Sequence, residues 1–121
     1  MGRQYKFRAW EKKLKEMITV STIDFRKGMI NTDSLWRYFH EVELMQYTGI
    51  TDVNGKEIYD GDILRCFNGS QDKVGTVVQV YYDDTYTGYY PFNRDEVGFN
   101  TNSNSLEVIG NIYEILEEYK K

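Results

Sequence analysis

Leu44-Met45-Gln46-Tyr47-Thr48-Gly49-Ile50-Thr51-Asp52-Val53-Asn54-Gly55-Lys56-Glu57-Ile58-Tyr59-Asp60-Gly61-Asp62-Ile63 is the stretch on which the fold turns. Leu44 to Thr48 reads as a strand ending at Gly49. Asn54-Gly55 follows, a pair that tolerates the positive φ angles of a tight reversal. Glu57-Ile58-Tyr59 then runs into a second turn at Asp60-Gly61-Asp62, whose carboxylates can accept local backbone N–H groups. Ile63 to Phe67 makes the next strand. Short strands separated by Gly, Asn and Asp turns predict antiparallel β structure.

Outward from this block the pattern repeats. Gln4 to Ala9 alternates apolar and polar, the period of a half-buried strand, and places Trp10 on the polar side with Lys6 and Arg8. Glu11 to Glu16 is a charged turn. Met17 to Val20 and Thr22 to Phe25 are rich in β-branched residues, and Lys27-Gly28 turns the chain toward Met29-Ile30. In residues 33–40, Asp33 can cap a short helix that puts Leu35, Trp36, Phe39 and His40 on one side, so the expectation there is a short helix or irregular turn. Val74 to Tyr82 reads as one strand, and Tyr89 to Phe92 as another, with Pro91 marking an edge. Asn93 to Ser105 is polar, Leu106 to Ile109 is a strand, and Ile112, Ile115, Leu116 and Tyr119 fall at helical spacing. The expected fold is mainly β: a small barrel or strongly bent sheet of short strands, with an N-terminal strand hairpin and a short C-terminal helix.

Three blocks resemble the YopX family, small proteins encoded mainly by phages and prophages of bacteria. They are Tyr5-Lys6-Phe7-Arg8-Ala9-Trp10, the central stretch quoted above, and Val108-Ile109-Gly110-Asn111-Ile112-Tyr113-Glu114. They occur in the family's order and spacing, so the resemblance covers nearly the whole chain. It departs after Glu114, where Ile115-Leu116-Glu117-Glu118 stands in place of the Asn-Pro-Glu-Leu-Leu frequent in the family. The resemblance implies a mostly β, barrel-like fold and a mobile-element origin, and it brings no reaction and no catalytic residues with it.

The chain's 121 residues suit a single domain, residues 1–121. Its apolar runs are far shorter than the roughly 20 residues that cross a bilayer, so no membrane role is expected. Met1 is followed by the charged run Gly2 to Arg8 without an apolar segment, and the lone Cys66 excludes an internal disulfide; both suit a reducing cytoplasm, which the family resemblance implies is that of a bacterial host. The net charge is −4. Residues 1–15 hold six basic side chains against Glu11, while residues 41–62 hold six acidic ones against Lys56. Two such blocks can neutralise each other or form separate solvated faces.

The chemistry-bearing residues are sparse. A calcium loop placed on Gly55 fails, because Ile50 and Gly61 would occupy positions that need carboxylates. Asp60 and Asp62 share a strand face, a weak hint of a hard-cation site. His40 is the only histidine, and a Cys66–His40 dyad is weaker than plain packing of both residues. No phosphate-cradling glycine loop occurs. The expectation is a non-enzymatic protein with no cofactor and no metal.

Aromatic density is the stronger signal. Tyr81, Tyr82, Tyr86, Tyr89, Tyr90 and Phe92 lie on one hairpin among Asp83, Asp84, Asp95 and Glu96. Such rings suit core packing or a protein interface, with a partner protein or a second copy in a homo-oligomer, and the acids oppose phosphate. The alternative is a nucleic-acid module on the N-terminal strand, with Lys6, Arg8, Lys12 and Lys13 on phosphates and an outward Trp10 stacking on bases.

Overall fold

The computed structural model describes residues 5–32, 35–67, 73–85, 87–92 and 106–119. The chain divides into two compact units, residues 1–47 and 48–121. The described part is mainly β, with one short helix near the C-terminus.

In the first unit, β1 (Phe7–Glu11) pairs antiparallel with β2 (Glu16–Thr19) and with the first half of β6 (Val42–Thr51). Glu11 closes the turn between β1 and β2: its buried carboxylate accepts the N–H groups of Lys13 and Leu14 at 3.2 and 2.6 Å. A second sheet runs β3 (Thr22–Asp24), β4 (Met29–Thr32), β5 (Leu35–Tyr38). Asp24 organises its first reversal by accepting the Lys27 N–H at 3.0 Å, and Gly28 sits at φ +67°, where a side chain would be strained. Ala9, Ile30 and Val42 form the buried core, with Ile18, Val20 and Ile23 packed against them.

The expected helix or irregular turn over residues 33–40 is instead strand β5 followed by a single 3-10 turn, Phe39–Glu41. Pairing with β4, from Met29 opposite Tyr38 to Thr32 opposite Leu35, outweighs the helical spacing. Leu35, Trp36 and Phe39 are exposed, so that spacing did not mark a buried face.

In the second unit, β6 continues through Gly49 (φ +90°) rather than ending there. The Thr48 hydroxyl spans this bend, donating to the Ile58 carbonyl of β7 (Glu57–Tyr59) at 2.8 Å and accepting the Ile50 N–H at 3.2 Å. Between β6 and β7 only Gly55, not Asn54, takes a positive φ (+80°). The reversal is a three-residue loop with its left-handed residue last, closed by Asp52 N–H to Lys56 carbonyl at 2.8 Å.

β8 (Asp62–Phe67) is the central strand between β9 (Lys73–Gln79) and β12 (Leu106–Asn111). The long strand read over residues 74–82 is broken at Val80. Its N–H and carbonyl bond to Asp62 and Gly61, and Tyr81–Asp83 departs as β10 to pair with β11 (Gly88–Tyr90). Ile58, Leu64, Val80 and Leu106 make the core, with Ile50, Val78, Tyr89, Phe92 and Val108 around it. The helix α1 (Ile112–Tyr119) starts where Asn111 Oδ1 accepts the N–H groups of Tyr113 and Glu114 at 3.1 and 3.0 Å, an N-cap.

The turn at Asp52 is tied to β12 through one side chain. Oδ1 accepts the N–H groups of Asn54 and Lys56 at 2.8 and 2.9 Å, and Oδ2 accepts that of Val108 at 2.9 Å, 56 residues away. Replacing Asp52 by Ala leaves these donors without their acceptor, and a buried donor so abandoned costs about 1–3 kcal/mol. The expected result is a lower denaturation midpoint in urea with an unchanged slope, measured by circular dichroism. Asn111→Ala, which removes a cap, is expected to lower stability by about 1 kcal/mol in the same assay.

Candidate functional site

The tyrosine ribbon is a two-stranded hairpin. Tyr81 stands opposite Tyr90, Tyr82 opposite Tyr89, and Asp83 opposite Gly88. Directly opposed residues share a face and successive ones alternate, so the four rings form two cross-strand pairs on opposite faces. Tyr81 and Tyr90 stack with centroids 5.1 Å apart and planes 21° apart. Tyr82 and Tyr89 meet edge to face at 5.3 Å and 82°. Both arrangements are those the ring quadrupole favours, worth about 0.5–1.5 kcal/mol each beyond area burial.

The ribbon thus divides its aromatic content. Tyr89 and Phe92 pack against the Ile58, Leu64, Val80 and Leu106 core. Tyr81 and Tyr82 remain 40% and 48% exposed. The reversal is held at its start by Asp83, a buried carboxylate whose Oδ1 accepts the Thr85 N–H at 3.1 Å. Tyr86 lies outside the described residues. Core packing and a presented surface, read from the sequence as alternatives, are divided among these rings.

The N-terminal basic strand is arranged differently from its expectation. Trp10 does not face outward: only 6% of it is exposed. β1 lies between β2 and β6, and Ala9, Trp10 and Glu11 are all buried, so the strand is covered on both faces and strict alternation fails. The ring proposed to stack on bases is therefore part of the interior. Lys12 reaches Glu43 Oε1 at 3.3 Å and donates to the His40 carbonyl at 3.2 Å. Lys6 lies over the Tyr47 ring, 5.7 Å from its centroid, a cation–π contact. Arg8 is half-buried, while Lys13 is exposed. The basic block and the acidic block meet in the Lys12–Glu43 pair, one of the two outcomes their charges allowed.

Of the other candidate residues, Asp62 is taken up by folding. Asp62 is 1% exposed, and its Oδ2 accepts the Tyr59 N–H at 2.8 Å across the turn containing Gly61. His40 is exposed and stacks on Tyr38 with centroids 5.4 Å apart. Cys66 lies in β8 opposite Leu106, and its side chain is outside the described set. Among the described residues, no group of three or more His, Cys, Asp or Glu side chains is placed to hold a metal ion. No helix among them is long and apolar enough to cross a membrane.

One surface escaped the sequence reading. Among the described residues β5 ends its sheet, and Leu35, Trp36 and Tyr38 on it are exposed, as are Phe39 and Phe25, which meet edge to face at 6.1 Å. The signal was present in the aromatic strand formers of residues 36–39, masked by their helical spacing.

Two of the three family-like blocks, the central and the closing one, are joined by backbone N–H bonds: Asp52 holds that of Val108, and the Gly61 carbonyl accepts that of Ile112 at 2.9 Å. The sequence profile of the family described as "YopX protein" matches residues 6–117. The chain belongs to the YopX family. The crystal structure of protein EF1440 from Enterococcus faecalis is similar in fold, with a TM-score of 0.69 at 23% sequence identity. That match covers 97% of this YopX-family chain and 99% of the other. No curated protein matches the chain.

The two tryptophans report the burial directly. In single-tryptophan variants, Trp10 fluorescence is expected to resist iodide quenching, whereas Trp36, 46% exposed, is expected to be quenched readily. Trp10→Ala is expected to lower stability by about 3–5 kcal/mol, the range for a large aromatic removed from a core.

Proposed function

We propose that this YopX-family protein is a phage or prophage accessory factor, acting in the cytoplasm of the bacterial host without catalysis, by binding another protein or a second copy of itself. The observation that carries this reading is the division of the tyrosine ribbon. Tyr89 and Phe92 anchor it to the core, while Tyr81 and Tyr82 present half-exposed rings already braced by Tyr90 and Tyr89. A ring fixed before contact loses little conformational freedom on binding, which is why rigid aromatics dominate protein recognition surfaces. Asp84 lies exposed beside the ribbon, which suits a protein partner better than a phosphate backbone.

The buried Trp10 and the engaged Lys12 remove the support for base stacking on the N-terminal strand. Of Asp60 and Asp62, the two acids that suggested a metal site, Asp62 serves a turn by accepting the Tyr59 N–H.

The test combines size-exclusion chromatography with light scattering and affinity capture from phage-infected cells, for the native chain and for Tyr81→Ser with Tyr82→Ser. The native chain is expected to self-associate or to retain a specific protein, and the double variant to lose that association at least tenfold while keeping its β-type circular dichroism. A strictly monomeric native chain that retains no protein overturns the reading.

A further inference from the structure

The outer edge of β5 carries a second, independent feature. Phe39 donates its N–H to the Gly28 carbonyl at 2.9 Å, continuing the β4–β5 register in which Tyr38 faces Met29. In an antiparallel ladder every second residue bonds to a given neighbour, so residues 35, 37 and 39 turn their backbone groups toward β4. Trp36 and Tyr38 turn theirs the other way, toward the side where the sheet has no further strand among the described residues. Such an edge is a template for pairing with a second chain, the more so when exposed Leu35, Trp36 and Tyr38 line it.

Two charged side chains of the same segment occupy two of these outward groups. Arg37 Nη1 donates to the Trp36 carbonyl at 3.2 Å. Glu41 Oε1 accepts the Tyr38 N–H at 2.8 Å, folded back by the 3-10 turn that follows the strand. We propose that Arg37 and Glu41 close the β5 edge against a second copy of this chain, leaving recognition by this strand to its side chains rather than its backbone.

The registers open to two copies explain why these two residues suffice. Antiparallel pairing about a two-fold axis perpendicular to the sheet keeps each side chain on its own face, so a residue must lie opposite its own copy. With Trp36 at the axis, the ladder needs the Trp36 carbonyl, which the Arg37 guanidinium holds. With Arg37 at the axis, the ladder needs the Tyr38 N–H, which Glu41 holds, and two guanidinium-bearing residues would face each other as a close, non-hydrogen-bonded pair. Each register meets at least one barrier made of these side chains.

The experiment compares the native chain with Arg37→Ala plus Glu41→Ala by light scattering over a hundredfold concentration range. The mass of the double variant is expected to rise above the native value and approach double it. A third substitution, Tyr38→Pro set against Tyr38→Ala, then separates backbone pairing from apolar adhesion, since both remove the ring and only proline removes the N–H. Tyr38 has φ −74° and ψ 152°, angles a proline accepts, and its N–H points outward, so proline removes an edge donor without disturbing the bond to β4. Return of the native mass on adding Tyr38→Pro but not Tyr38→Ala supports the proposal. A double variant that stays at the native mass overturns it, and so does an enlarged mass that survives Tyr38→Pro or is lost equally with Tyr38→Ala. Should the double variant lose its β-type circular dichroism, Arg37→Ala alone opens the register centred on Trp36; a mass that rises above the native value then supports the proposal, and one that stays at it overturns it. Carrying each substitution also in the Tyr81→Ser, Tyr82→Ser background keeps association through the ribbon out of the comparison.

Discussion

The carboxylate of Asp52 is the constraint on which the second unit depends. A buried carboxylate is tolerable only when its charge is met by donors, and here three backbone N–H groups meet it. Two come from its own loop, which fixes the reversal between β6 and β7. The third comes from Val108 in β12, far along the chain, so one side chain sets a local turn and a long-range position together. Around it, Val53 donates to the Leu106 carbonyl and Ile112 to that of Gly61. The position of β12 beside β8, and the start of α1 at Asn111, follow from this cluster of backbone bonds.

Asp62, Asp83, Glu11 and Asn111 repeat the device at other turns, each with a buried side-chain oxygen accepting N–H groups a few residues away. Short strands have few ladder bonds, and their connections need other acceptors for the N–H groups left over. Acidic and amide side chains supply them. This gives the recurring Asp and Asn of the family-like blocks a physical role that calls for no ligand.

What the sequence disclosed, and what it concealed, follows from the range of each interaction. The reversals at Gly28, Gly55 and Gly61 were legible because they are settled within four or five residues by φ preference and Asp acceptors. The helix after Asn111 was legible from the spacing of Ile112, Ile115, Leu116 and Tyr119, also a local signal. Trp10 was misplaced because period-two alternation presumes one buried face, and β1 is an interior strand. The break at Val80 was hidden because it depends on bonds to Gly61 and Asp62, distant in sequence. The hairpin that presents the tyrosines could be read from its composition. Which rings it hides could not, since that depends on a core assembled from β7, β8 and β12.

The charge blocks show the same gap between order along the chain and arrangement in space. Residues 41–62 read as a run of acids, yet the structure spends them separately. Glu41 holds the Tyr38 N–H, Glu43 pairs with Lys12, and Asp52 and Asp62 point into turns. An exposed ion pair such as Lys12–Glu43 adds little stability, commonly about 0–1 kcal/mol. Its effect is on the field, since it cancels part of the positive potential of residues 1–15 where a phosphate chain would have to approach. A net charge of −4 therefore describes the chain better than it describes any one face of it. Aromatic rings remain outside where charge has been drawn into folding, on the ribbon of Tyr81 and Tyr82 and along β5.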